Sequence, residues 1–270
     1  MISLLGKTPS RWMQRYFFGP DHPMKMRIWQ AFWRRLGYPR LTVAYAADGW
    51  ISLDPRDYLQ REIFEKGSYE LEVWQEIARQ ARSNEVFWDV GAHVGCMTVR
   101  AGLNDRIREV HSFEPHPVQR EILESNVALN SGTYKIHAVA LGEKREEAKL
   151  YEGLASNTGL SSLAAASDGR WTPVACDTVD DLVYNDHCPA PTIMKIDVEG
   201  WELPVLKGAR RLLKEAPPKA IVFEWPCGPE GETNDTRAKE YLESFGYRVS
   251  RIPRPSGFID TRENFLAVKS

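Results

Sequence analysis

Residues 86–95 read Val-Phe-Trp-Asp-Val-Gly-Ala-His-Val-Gly: a short apolar run reaches Asp89, a glycine follows, and a second glycine stands four residues later. A buried parallel strand that turns sharply into a helix beneath a nucleotide-like ligand has this pattern. Gly91 permits the turn and a close backbone approach, and Gly95 lets the helix lie against the strand. The full dinucleotide pattern G-x-G-x-x-G is absent, so the stretch takes its meaning from the chain downstream of it.

Downstream, strands and helices alternate. Strands are expected at Val86–Val90, Val110–Phe113, Lys135–Leu141, Thr192–Val198 and Ala220–Trp225. Helices are expected between them at Val94–Leu103, Pro117–Leu129 and Glu202–Leu213. Shorter extended pieces are expected at Glu147–Tyr151 and Thr172–Cys176, and a helical turn at Thr178–Val183. A last helix at Thr236–Phe245 precedes two closing strands, Tyr247–Ile252 and Phe265–Lys269. This order predicts an α/β fold, a doubly wound and mostly parallel sheet with helices on both faces. Two final strands joined without a helix predict an antiparallel addition at one edge.

The N-terminal 47 residues look different. Residues 1–45 carry a net charge of +7 in a chain whose total is −2, and they are rich in Trp, Phe and Tyr. Lys25–Leu36 reads as an amphipathic helix with Met26, Trp29, Phe32, Trp33 and Leu36 near one face. The division is therefore placed between a basic helical leader, 1–47, and a main domain, 48–270. The leader is expected to pack on that domain, with contact to an anionic membrane surface as the second reading. No apolar run is long enough to span a bilayer, and a cytoplasmic protein is expected. The four cysteines, Cys96, Cys176, Cys188 and Cys227, show no C-x-x-C spacing. They read as thiols, not as a zinc site or a disulfide framework.

In open parallel sheets a ligand sits beyond the carboxyl ends of the strands, where strand order reverses. The strand ends here offer Asp89 and Gly91, Glu114, Ala140 with Leu141, Asp197 with Glu199, and Glu224. An acid placed as Glu114 is, directly after an apolar strand and before Pro115, can accept hydrogen bonds from both hydroxyls of a ribose.

The ordered motifs Asp-Val-Gly-Ala-His-Val-Gly (89–95), Phe-Glu-Pro-His-Pro (113–117), Asn126-x-x-x-Asn130, Ala-Leu-Gly (140–142) and Lys-Ile-Asp-Val-Glu-Gly-Trp-Glu (195–202) carry a family resemblance. Val205-Leu-Lys-Gly-Ala209, Val222-Phe-Glu224 and Gly67-Ser-Tyr-Glu70 extend it. Over about residues 48–268 the chain resembles the FkbM family of S-adenosylmethionine-dependent methyltransferases. The resemblance implies a class I, Rossmann-like fold with a seven-stranded sheet. It implies that Asp89, Gly91, Ala92, His93 and Gly95 hold the methionine part of the cofactor and that Glu114 and Pro115 border the ribose. Ala140 and Leu141 would border the adenine, and Tyr69 and Glu70 would cover the cofactor. His93 departs from the family, which commonly has Asn there.

The expected chemistry is O-methylation of a hydroxyl on a small molecule, sugar or glycan, with S-adenosyl-L-homocysteine as product. Asp197, Glu199 and His93 are the catalytic candidates, Asp197 also touching the cofactor. Asp197, Glu199 and Glu224 are carboxylates of the kind that hold Mg²⁺. Hydrogen bonding to cofactor, backbone or substrate is the reading taken, and no metal site is assigned. His111, His116 and His137 read as structural. An N-methyltransferase is the alternative enzyme, and an anion- or lipid-binding protein on the same fold the alternative from another class. No nucleic-acid partner is expected.

Overall fold

The computed structural model of the chain describes residues 24, 27–28, 31, 34–35, 37, 40–46, 48–54, 56–152, 161–163, 170–226, 236–253 and 262–270. Its centre is a sheet of seven strands. In chain order these are β3 (Glu85–Val90), β4 (Ile107–Phe113), β5 (Tyr134–His137), β9 (Ile193–Ile196), β10 (Ala220–Pro226), β11 (Tyr247–Arg251) and β12 (Arg262–Lys269). Their spatial order is β11-β12-β10-β9-β3-β4-β5. The strands from β10 through β9, β3 and β4 to β5 pair in parallel, and β12 runs antiparallel between β10 and β11. The antiparallel addition expected from the closing strands is therefore present, and the last strand enters beside the edge instead of forming it. Order reverses between β3 and β9, so a crevice opens beyond their carboxyl ends.

All six residues of β3 are buried, as a central parallel strand requires. The two-residue period sends Trp88 to one face with Leu206, Leu213 and Phe223. Phe87 goes to the other with Val73, Ile77, Ala101 and Val222. Helices α2 (Leu71–Gln80) and α3 (Cys96–Gly102) cover the second face. On the first face lie α6 (Glu202–Lys207), α7 (Arg210–Glu215) and α8 (Arg237–Ser244). The helix expected over Glu202–Leu213 is broken into α6 and α7. A Cβ on Gly208 would lie 1.9 Å from the Gly142 carbonyl oxygen, so two backbones cross at the break. Gly208 O in turn accepts from Asp180 N at 2.9 Å. These contacts set the exit of α6 by tertiary approach, which helical periodicity does not report.

Two parts of the architecture depart from expectation. The strand read as Lys135–Leu141 ends at His137, and Ala140–Leu141 forms a separate two-residue strand, β6. With β7 (Glu146–Tyr151) and β8 (Trp171–Asp177), β6 makes a small three-stranded sheet. It leads into α5 (Val179–Tyr184), whose first turn is capped by Thr178. The second departure is a hairpin of β1 (Leu41–Tyr45) and β2 (Gly49–Leu53). Leu41, Val43, Tyr45, Ile51 and Leu53 are buried against α1 (Tyr58–Lys66), α3 and α4 (Pro117–Val127). The division placed after residue 47 falls inside this hairpin, whose first strand shares a core with the main domain. Of the expected leader helix, residues 27–28, 31 and 34–35 are helical, and Ile28 is half exposed. Met26, Trp29, Phe32, Trp33 and Leu36 lie outside the described residues.

The Asn126-x-x-x-Asn130 motif explains how the hairpin docks. Asn126 Oδ1 accepts from Ser52 N and Asn130 Oδ1 from Trp50 N, each at 2.7 Å. Asn126 Nδ2 donates to Val94 O and Asn130 Nδ2 to Trp50 O, again at 2.7 Å. The last turn of α4 and the turn that follows it thus present two amides that satisfy the edge of β2, an otherwise unpaired row of backbone groups.

Candidate active site

Two contiguous cavities lie beyond the carboxyl ends of β3 and β9. The larger has about 600 Å³ of space including its mouth, and the smaller about 460 Å³. Gly91, His93, Asp197 and Glu199 border both. Glu114, Pro115, Ala140, Leu141 and Trp201 enclose the larger one. Tyr69, Asp89, Ala92 and Lys195 enclose the smaller. The strand-end residues other than Glu224 are therefore brought to one crevice. Ala140 and Leu141 arrive from the small sheet, after a two-residue break in the strand expected to carry them.

Close backbone approach builds the floor. Gly91 has φ +84°, and a Cβ there would lie 1.8 Å from Asp197 O, so only glycine fits between the two strand ends. Gly91 N and Ala92 N both donate to Phe113 O, at 3.0 and 3.1 Å. Gly95, at φ +90°, starts α3, and a Cβ there would meet Leu123 Cδ1 at 2.5 Å. After β9 a second tight turn runs through Glu199 (φ +54°) and Gly200 (φ +93°). Glu202 Oε1 accepts from the N–H groups of Val198 and Gly200 at 3.3 and 3.1 Å. These backbone N–H groups are thus engaged by Glu202 itself.

Glu114 is 6% exposed. Its Oε2 accepts from His93 N and its Oε1 from His116 N, both at 2.8 Å. One lone pair on each oxygen remains directed elsewhere. Burial pushes this carboxyl up to about 7, the two backbone N–H bonds only partly opposing it. His93 has φ +49°. Among non-glycine residues, Asn, Asp and His are the types enriched in this left-handed region. The position thus demands a backbone conformation that places its N–H on Glu114, and the exchange of Asn for His preserves it. Burial lowers the His93 pKa to about 4 despite Asp57 and Asp197, so the imidazole is neutral at physiological pH.

Lys195 is 3% exposed, a cation at the centre of the smaller cavity. Its Nζ donates to Asp197 Oδ2 at 2.6 Å and lies 3.3 Å from Glu70 Oε2. Burial disfavours its charge, but Asp197, Glu70 and Asp89 outweigh that and hold its pKa well above the usual lysine value. Asp89 accepts from Thr98 Oγ1 at 2.6 Å, and burial raises its pKa against the pull of Lys195. Glu70 borders neither cavity. It is an ion-pair partner beneath the crevice, where Asn264 Nδ2 also donates to it at 3.0 Å. Oxygens of Asp197, Glu199 and Glu224 come within 4.8 Å of one another.

Lys195, Ser162 and Gln119 belong to the site without having been singled out by sequence. Lys195 was visible only as the residue two before Asp197 on the same side of its strand. Ser162 reaches the crevice from the segment after β7, its Oγ donating to Glu199 O at 2.7 Å. Gln119 Oε1 and Trp201 Nε1 are buried at the larger cavity with no hydrogen-bond partner among the described residues. Such orphaned groups at a cavity wall suit a polar ligand.

A seven-stranded sheet with one antiparallel strand beside its edge, and a crevice where strand order reverses, defines a class I methyltransferase fold. The Methyltransferase FkbM domain matches residues 89–249, more than half of the chain, and the protein belongs to that family. The hexuronic acid methyltransferase AglP of Haloferax volcanii is 28% identical over 145 residues, covering 54% of this chain and 58% of that protein. The chain thus spans less than two thirds of that relative's length. The methyltransferase sdnD of Sordaria araneosa is 25% identical over 232 residues, covering 74% of this chain and 85% of that one. Among solved structures, precorrin-6y C5,15-methyltransferase of Geobacter metallireducens has a TM-score of 0.43 at 17% identity, covering 73% of this chain and 89% of that one.

Proposed function

We propose that this protein is an S-adenosylmethionine-dependent methyltransferase that methylates an oxygen of a sugar or another small polyhydroxylated acceptor. One observation carries the reading. Glu114 spends one lone pair of each oxygen on a backbone N–H and turns the remainder to a crevice whose floor only Gly91 allows. A vicinal diol supplies the two donors that such a carboxylate accepts. Trp201 Nε1 and Gln119 Oε1 offer a donor and an acceptor to the rest of a nucleoside, and Val139, Ala140 and Leu141 an apolar wall for its base. Asp89, with the backbone at Gly91, faces the smaller cavity, where an amino-acid tail carrying an ammonium finds its countercharge. A pyrophosphate would need the third glycine that this turn lacks.

When bound, S-adenosylmethionine supplies a methyl group on a sulfonium, an electrophile that already carries its activation. The chain's own residues position the acceptor. His93 borders both cavities, and its neutral imidazole suits hydrogen bonding that orients an acceptor hydroxyl. Lys195 fixes Asp197 at the junction of the cavities, which suits Asp197 to orientation and to charge balance. The acceptor class draws on the haloarchaeal relative, whose name specifies a hexuronic acid. Cation-binding by the carboxylates of Asp197, Glu199 and Glu224 is not needed for this reading.

Calorimetric titration of the full chain with S-adenosylmethionine, S-adenosylhomocysteine and NAD⁺ tests it. Binding of both sulfur nucleotides with no heat from NAD⁺ is expected. Absence of binding to either sulfur nucleotide sinks the proposal.

A further inference from the structure

Behind the crevice, on the face of the sheet that carries Trp88, three groups from distant parts of the chain meet. His111 Nδ1 lies 3.0 Å from His137 Nε2 and 3.1 Å from Cys188 Sγ. The nitrogen, nitrogen and sulfur atoms of the three all lie within 4.8 Å of one another. His111 and His137 are 26 residues apart, and Cys188 is 77 residues from His111. No sequence spacing announces the cluster, which is why the histidines read as structural and Cys188 as a thiol outside any metal site.

We propose that His111, His137 and Cys188 form a binding site for zinc or a zinc-like divalent transition metal, with a water as fourth ligand. The donor set is chemically apt: two imidazole nitrogens and a thiolate match a borderline-soft ion and exclude Mg²⁺ and Ca²⁺, which take oxygen. Geometry is within reach of coordination. Donors that touch at about 3 Å need to part by only a few tenths of an ångström to surround an ion at about 2.0–2.3 Å.

The surroundings add what such ligands need. Glu109 Oε1 stands 3.1 Å from His111 Nε2, which favours a proton on that nitrogen and leaves Nδ1 with a lone pair for the metal. A carboxylate behind a ligating histidine is the usual means of fixing ring and tautomer. Lys135 Nζ, 2.9 Å from Glu109 Oε1, holds that carboxylate in turn. Both rings are braced by aromatic contact: His137 stacks on Phe113 at 4.6 Å between centroids, and Trp88 stacks on His111 at 6.0 Å. His137 and Cys188 are only partly buried, which leaves an entry path for an ion.

On binding, the Zn–S and two Zn–N bonds form, the Cys188 S–H bond breaks, and its proton leaves to solvent. No electrons are transferred. The ion would join β4, the end of β5 and the loop after α5, and so tie the small sheet's exit to the main sheet. It would do so beside Glu114, whose N–H donates to His137 O at 3.1 Å.

The test uses the full chain after dialysis against a chelator. Titration with cobalt(II) is expected to give one equivalent bound, with thiolate-to-metal charge-transfer absorption and tetrahedral visible bands. Cys188→Ser should abolish the charge-transfer absorption, and His137→Gln should weaken zinc binding by about tenfold or more. Zinc at about a hundred times its dissociation constant should raise the wild-type melting midpoint by roughly 5–10 °C. Zinc should also slow alkylation of Cys188 in the wild type by at least about fivefold while Mg²⁺ does not; this readout does not depend on any variant folding. Wild-type protein that shows no thiolate–cobalt absorption, or Cys188→Ser that retains it, or alkylation indifferent to zinc, overturns the proposal.

Discussion

Glu114 and His93 are coupled through one hydrogen bond, and each makes a separate prediction. On the proposed function, ligand hydroxyls would donate to the ionised form of Glu114, whose pKa burial pushes up to about 7. Affinity for S-adenosylhomocysteine should therefore fall on acidification from about pH 8 to about pH 6, by roughly tenfold, and level off above neutrality. Glu114→Gln should lose at least about tenfold at pH 8 and flatten the profile; an unchanged titration would remove Glu114 from the ribose. The sign for stability is opposite. Folding raises this pKa from 4.5, so ionisation of Glu114 costs stability as pH rises through the folded value. At position 93 the backbone conformation is the requirement. His93→Asn should keep affinity within about threefold, whereas a β-branched His93→Val should cost roughly 2 kcal/mol of stability and weaken binding with it. Equal behaviour of the two variants in melting and titration would contradict that account.

At the scale of elements, legibility followed whether an element's partner could be inferred from the element itself. β3 and β10 were legible because a central parallel strand is buried on both faces and writes a mostly apolar run, whereas β4 and β9 were legible from their places between helices. Their terminal acids were legible because connectivity puts all those ends on one edge. β6 was not legible as a separate strand. Ala140 and Leu141 look the same whether they extend β5 or pair with β8, since apolar character does not name a partner. The break between α6 and α7 depends on Gly142, far away in sequence. Lys195 was legible by period but not by consequence, because the chain does not reveal that Glu70 lies across from it. The Asn126 and Asn130 amides were recognised as a motif without a cause; the hairpin supplies it. Asn126 is fully buried and bonds to two separated segments. Asn126→Ala should cost about 2–3 kcal/mol, by stranding Ser52 N and Val94 O. Amide exchange should quicken over residues 49–53 before it does in β3, and a uniform change across the sheet would argue against a local staple.

For the molecule as a whole, the charge division matters more than the net charge. The basic residues before the hairpin stand ahead of an acidic body, and the hairpin itself belongs to that body's core. Among the described residues no helix is long and apolar enough to cross a membrane. A truncation that starts at residue 41, not 46, should therefore keep the melting midpoint and the affinity for S-adenosylhomocysteine. It should reduce sedimentation with anionic vesicles if the leader docks on lipid; equal sedimentation of the two forms would exclude that role. The insertion of β12 between β10 and β11 has a consequence in time. Asn264, which completes the partners of Glu70, lies 194 residues after it. At roughly 5–20 residues per second, a ribosome needs about 10–40 s to cover that distance. Lys195 joins Glu70 partway through that interval, and until its end the pair lacks its amide. The ion pair beside the crevice thus acquires its last supporting side chain only once β12 has been made.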